Sequence, residues 1–197
     1  DAAESVASYQ LRSRASVVGN ICNASPAGDT IGACLLLEGV LKVFGENGER
    51  QEPLNTFFLG PGETKLQAGD IVTAIHFPLP PNNMKGSYIK LGRNQLSDLA
   101  IIGVTALGYP DVSIESGYWF KLALASVAPI PLVVDTVGEI MGHEPISEES
   151  LQQAAEAAMD TCTPIDDVRG SARYRKIMVR NLSYKALKEV WNQLSGQ

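Results

Sequence analysis

The run Pro78-Leu-Pro80-Pro81-Asn82-Asn83 constrains this chain most. Its three prolines lack an amide donor and fix φ at about −65°, so it can belong neither to a helix interior nor to a central strand. It is read as the boundary between an N-terminal part, residues 1–81, and a C-terminal part, residues 82–197. The two sides differ in period. Before the boundary, Leu41–Phe44 and Gln51–Leu54 flank Asn47-Gly48, a hairpin turn signal, and Ile71–Phe77 is a further strand. After it, Ser87–Leu91, Ala100–Tyr109 and Tyr118–Val127 are consecutive strands with short links, which predicts antiparallel pairing. From Pro131 the pattern turns helical. Pro131–Met141 is read as helical, and Ser147 as an N-cap ahead of the stripe Leu151, Ala154, Ala155, Ala158. A last helix is expected over Ser171–Leu194, burying Tyr174, Ile177, Met178, Leu187, Val190, Trp191 and Leu194. Strands followed by helices give an α+β fold, with a three-stranded antiparallel sheet covered by helices in the C-terminal part.

A second stretch carries chemistry. Ser16-Val-Val-Gly-Asn-Ile-Cys-Asn-Ala-Ser-Pro-Ala-Gly-Asp29 concentrates small residues, hydroxyls, amides and one carboxylate. Small residues let a backbone approach a ligand. Ser16, Asn20, Asn23 and Ser25 supply donors and acceptors at short range. This is the make-up of one wall of a site for phosphates or sugar hydroxyls. Arg12 and Arg14 lead into it, as surface charges or as counter-charges to a phosphate. Asp1–Leu11 has helical spacing, and a helix is expected from Thr30 to about Glu38 with Ile31 and Leu35 on one face. Asp29 stands at its start, either as an N-cap or as an acceptor for ligand hydroxyls.

Composition excludes several classes. A formal net charge of −6 argues against a sequence-independent grip on nucleic acid, which needs a basic face. No apolar run reaches the roughly 20 residues of a membrane span, and no signal-peptide pattern opens the chain, so no membrane partner is expected. Cys22, Cys34 and Cys162 are odd in number, far apart and without a CxxC pair, which reads as reduced thiols of a cytoplasmic protein. The sequence offers no catalytic nucleophile, acid–base pair or metal-ligand set. His76 reads as a strand residue and His143 as a loop residue.

The series Arg12-Ser-Arg-Ala-Ser16-Val-Val-Gly19-Asn20-Ile, then Ala24-Ser25-Pro26-Ala-Gly-Asp29, resembles the second flavin-binding motif of the FAD-binding subunits of molybdenum hydroxylases. That family includes xanthine dehydrogenase, carbon monoxide dehydrogenase and 4-hydroxybenzoyl-CoA reductase. Ser16 stands where the family has Thr, keeping a hydroxyl. Val18 replaces the first Gly, putting a Cβ where the backbone would near a phosphate. The resemblance runs on through Gly48-Glu-Arg50, Phe57-Phe58, Leu66-x-x-Gly-Asp70-Ile, Lys90-x-x-Arg93 to Asp98-x-Ala100, Ala128-Pro-Ile-Pro131 and Asp167-x-Arg169-Gly-Ser-Ala-x-Tyr174-Arg175.

The resemblance implies that residues 1–81 are the second half of a PCMH-type FAD-binding domain and that 82–197 form the family's C-terminal domain. The first flavin loop is expected upstream of residue 1, cut off or on a separate N-terminal FAD-binding half. The implied activity is that of an oxidoreductase's flavoprotein module, passing electrons between iron–sulfur clusters and an acceptor such as NAD. Its implied partners are an iron–sulfur subunit with 2Fe–2S clusters and a molybdopterin subunit. Carried over by position, Ser16, Gly19, Asn20, Ser25 and Asp29 would contact the ribityl–phosphate part of FAD. Leu66 and Lys90 would lie at the isoalloxazine edge, with Lys90 supplying positive charge. Two alternatives stand beside this: a stand-alone flavin reductase of the same fold, and a non-catalytic assembly piece that does not hold flavin alone.

Overall fold

The strand Ile102–Pro110 (β7) is buried along its first seven residues, because both faces of the sheet it belongs to are covered. The computed structural model of the chain describes residues 1–94 and 98–196. In chain order the helices are α1 Tyr9–Arg12, α2 Val17–Cys22, α3 Ile31–Leu36, α4 Thr136–Gly142, α5 Glu148–Thr161 and α6 Ala172–Ser195. The other strands are β1 Val40–Gly45, β2 Gly48–Pro53, β3 Phe58–Gly60, β4 Glu63–Thr64, β5 Ile71–His76, β6 Lys85–Leu91, β8 Tyr118–Ala125 and β9 Leu132–Val133.

The N-terminal part is built on the sheet β2-β1-β5, antiparallel throughout. Its hairpin closes at Gly45↔Gly48, and Gly48 takes φ 91°, a conformation that side chains with a Cβ resist. Arg50 of β2 holds Asp70, just before β5, by two parallel bonds of 3.0 and 2.5 Å. Ile21, Ile31, Leu35, Leu41, Val43, Leu54, Phe57 and Phe58 form the core of this part. Phe57 and Phe58 meet edge-on at 5.3 Å.

The C-terminal part is the antiparallel sheet β6-β7-β8-β9, of four strands where three are expected. The additional strand is only Leu132–Val133, in the segment read as helical. Its apolar pair takes the free edge of β8, and the helix starts later, at Thr136. On one face, Ile102, Val104 and Ala106 join Phe120, Leu122 and Leu124 under α4, α5 and α6. On the other, Thr105, Leu107 and Ala123 receive α3, so the two parts share a packed boundary. Alternation along β7 thus serves two cores at once.

Other expectations shift in detail. The segment expected to be helical from Asp1 to Leu11 turns at Asp1–Ser5 and is helical only from Tyr9, capped by Ser8. The helix expected to reach Glu38 ends at Leu36, because Glu38 takes φ 56°. Ser147 caps α5 as read, with Ser150 returning the bond. In α6, Leu187 and Val190 are buried as expected, but Tyr174 and Ile177 are 43 % and 40 % exposed. The first turns bury Arg175, Val179 and Ser183 instead. No helix among the described residues is long and apolar enough to cross a membrane.

Candidate functional site

Ser16 begins the site by ending the preceding coil. Its Oγ accepts from the Gly19 amide at 2.9 Å, starting α2 in the manner of an N-cap. Four residues on, Asn20 Oδ1 accepts from Thr30 Oγ1 at 2.7 Å, which ties α2 to the start of α3. Between them the chain turns at Ala24, φ 46°, whose carbonyl accepts from the Gly62 amide at 3.0 Å. Ser25 Oγ accepts from the Ala27 amide at 3.3 Å.

A cavity of about 560 Å³ opens on this loop, lined by Arg12, Arg14, Ser16, Gly19, Asn20, Asn23 and Thr30 together with Ala3, Val6, Ala15 and Val17. Its size is that of a small-molecule site. Val18 does not line it. A Cβ at Gly19 would touch Ser16 Oγ at 3.0 Å and otherwise meet open space, so the glycine leaves room at the wall. Arg12 is already anchored, donating from Nη1 to the carbonyls of Val6 and Ala7 at 2.9 and 3.0 Å. Two guanidinium groups, two hydroxyls and two carboxamides form a donor-rich set. That chemistry fits a ligand carrying phosphate and hydroxyl groups, as the ribityl–phosphate part of FAD does.

Asp29 is not an N-cap. Thr30 precedes α3 without a side-chain cap, and Asp29 is 6 % exposed with its carboxylate turned to β6. Oδ1 accepts from the Tyr88 hydroxyl at 2.5 Å and Oδ2 from Lys90 Nζ at 2.9 Å. Lys90 Nζ also donates to the Ser5 carbonyl at 2.8 Å, so one ammonium joins the N-terminal segment, the loop and the C-terminal sheet. Burial, then the charge of Asp29, push the Tyr88 phenol well above its ordinary range, which keeps it a donor. The sequence reading does not single out Tyr88, which joins the Asp29–Lys90 pair. The signal was available: it lies two residues before Lys90, on the same face of the strand.

The structure therefore gathers Ser16, Gly19 and Asn20 on the cavity, brings Asp29 and Lys90 together as a buried pair that does not line it, and leaves Ser25 in the loop's own turn. Leu66 stands apart. It is half-buried against the N-terminal core, its amide donating to Thr64 Oγ1 at 3.2 Å. A larger cleft of about 1090 Å³ between β1–β2 and β8–β9 includes Lys42, His76, Trp119 and Lys121, and none of the sequence-predicted residues.

Comparison with known proteins gives two family matches. Residues 1–80 match the family described as FAD binding domain in molybdopterin dehydrogenase, and residues 87–190 match CO dehydrogenase flavoprotein C-terminal domain. The chain is 28 % identical over 199 aligned residues to the xanthine dehydrogenase FAD-binding subunit of Escherichia coli O157:H7, covering 100 % of this chain and 67 % of that protein. It is 29 % identical over 191 residues to the carbon monoxide dehydrogenase medium chain of Hydrogenophaga pseudoflava, covering 97 % and 66 %. A solved carbon monoxide dehydrogenase from the same organism, lacking the Mo-pyranopterin moiety of its cofactor, superposes with a TM-score of 0.90 at 27 % identity, over 97 % of this chain and 66 % of that one. The chain thus spans about two thirds of the length of these relatives. It belongs to the family of FAD-binding flavoprotein subunits of the molybdenum hydroxylases, the oxidoreductase family of xanthine and carbon monoxide dehydrogenases.

Proposed function

We propose that this chain is the electron-transfer flavoprotein part of a molybdenum hydroxylase complex, carrying one wall of the FAD site. In this reading electrons pass between iron–sulfur clusters on one partner subunit and an acceptor such as NAD, and the molybdopterin centre lies on a third. The observation that carries it is the donor-lined cavity at Ser16–Asn23, whose lining residue Thr30 directly follows Asp29 of the buried Asp29–Lys90 pair. The family's medium chains, and the match along nearly the whole chain to one of them, support the partner set.

When bound, FAD supplies the redox chemistry, and the protein's part is to bind, orient and tune it. Ser16 offers its hydroxyl proton, since its oxygen accepts from the Gly19 amide and leaves the proton free to donate. Asn20 offers Nδ2, because Thr30 occupies its Oδ1. Each oxygen of Asp29 keeps a second lone pair, which is what accepting from a ribityl hydroxyl requires. Asp29 also fixes Lys90, which brings positive charge towards the isoalloxazine edge, where Leu66 would supply apolar contact. A cytoplasmic location belongs to the same reading, supported by three free cysteines.

Purification from the native source tests it. The expected result is a visible flavin spectrum and co-purification with an iron–sulfur subunit and a molybdopterin subunit. An active, monomeric flavin enzyme with its own small substrate would contradict it.

A further inference from the structure

The loop and the strand that bring Asp29 to Lys90 are both held from behind by one buried side chain. Arg175, in the first turn of α6, is 2 % exposed. Its Nη1 donates to the Ser126 carbonyl at 2.8 Å and to the Ile101 carbonyl at 3.2 Å. Both residues reach into the site through their amides. The Ser126 amide donates to the Pro26 carbonyl, within the loop, at 2.7 Å. The Ile101 amide donates to the Leu91 carbonyl at 2.7 Å, next to Lys90.

Ser126 is an unusual hinge for this purpose. It follows the last residue of β8 and takes φ 66°, a left-handed conformation that a non-glycine residue keeps only when its surroundings enforce it. Those surroundings are identifiable: its hydroxyl donates to Ala100, its amide to Pro26, and its carbonyl accepts from Arg175. Arg175 is fixed in turn, with Nη2 on Asp167 Oδ1 at 2.7 Å, while Asp167 Oδ2 holds Arg169. A buried ion pair is a weak route to stability, since an apolar residue of similar volume often serves a core as well or better. No apolar residue could satisfy two carbonyls just outside the ends of separate strands. The arrangement points to geometry rather than stability.

We propose that Arg175 is a positioning residue for the flavin site, setting the Asp29–Lys90 register by fixing the Ser126 and Ile101 peptides together. The functional half of this inference rests on the flavin reading of the loop. The mechanical half does not.

Arg175→Lys and Arg175→Met, made in the chain joined by the N-terminal flavin-binding segment that the family resemblance implies and loaded with FAD, test both halves, with Leu187→Ala as a control in the same helix. Amide hydrogen exchange at Ser126 and Ile101 should quicken by about tenfold or more in both Arg175 variants, because the carbonyls of the same two residues lose their hydrogen bonds from a charged group. The FAD dissociation constant should rise by a similar factor, and the visible circular dichroism of bound flavin should change. Leu187→Ala should lower the melting temperature while leaving the FAD dissociation constant within about twofold. Amides that stay protected in Arg175→Met would overturn the clamp. So would a control that weakens FAD in proportion to its lost stability. Loosened amides with unchanged FAD affinity would uphold the clamp and overturn its role in the flavin site, whereas a wild-type protein that takes up no FAD would contradict the flavin reading of the loop. If neither Arg175 variant folds, Asp167→Asn carries the exchange test: the same two amides quicken, or the clamp fails.

Discussion

Asp29 and Lys90 are 61 positions apart in the chain and 2.9 Å apart in the fold, with little of either side chain exposed. The pair spans the boundary between the two parts of the molecule, and Tyr88 donates to the carboxylate's other oxygen. Removing one member strands the other in a poorly solvated place.

Asp29→Ala is therefore expected to destabilise the protein by about 3–5 kcal/mol, the cost of leaving a buried charge unpaired. Lys90→Met should cost a similar amount. The double variant should cost less than the sum, with a coupling of roughly 1 kcal/mol or more. Urea unfolding of the four proteins measures this, and additive losses would show that the pair does not couple the two parts.

The acid limb of stability should depend on Asp70. Its bonds from Arg50, then from the Gln67 amide, lower its pKa from 3.8 to about 2. A carboxylate whose pKa is lower in the folded state contributes stability above its unfolded pKa, and loses it as pH falls through the folded one. Melting temperature should drop as pH falls from 3.8 towards about 2. Asp70→Asn should flatten part of that slope. Asp167, lowered chiefly by Arg169, contributes in the same direction and will preserve some of it. Parallel curves for Asp70→Asn and wild type would contradict the assignment.

Packing at the boundary between the parts allows a steric test. A Cβ on Gly32 of α3 would lie 2.7 Å from Thr105 Oγ1 of β7, and Thr105 is itself buried. Gly32→Ala should destabilise by about 1–3 kcal/mol through overpacking. Thr105→Ala should relieve it, so that the double variant is more stable than Gly32→Ala alone. Thermal unfolding reads both, and no relief would mean that α3 does not close on β7 at this point.

Much of this fold is legible in the sequence where local signals are strong. Asn47-Gly48 gives the hairpin, Ser147 starts α5, and short links force β6, β7 and β8 into antiparallel order. Features set by long-range partners are less so. Leu132–Val133 is a strand only because β8 has an open edge there. The face of α6 misleads because Arg175, a charge, is buried by carbonyls more than 45 residues away in the chain, while Tyr174 and Ile177 face outwards. In the site, loop composition points to the donor wall, but Asp29's partners lie on another part of the molecule: Lys90 is reached only through the family resemblance, and Tyr88 only through its place two residues before Lys90 on the same strand face.

Pyrophosphate is costly to remove from water unless donors surround it, and this chain presents donors from one loop. Losing several charge-assisted bonds weakens binding by orders of magnitude. The most direct measurement is a flavin-fluorescence titration of FAD into the 197-residue chain, alone and then with the N-terminal flavin-binding segment that the family resemblance implies. The account predicts weak or no binding by the chain alone, sub-micromolar binding with the added segment, and renewed weakening by Asn20→Ala or Asp29→Ala. Sub-micromolar binding by the chain alone, or none with the segment added, would contradict it.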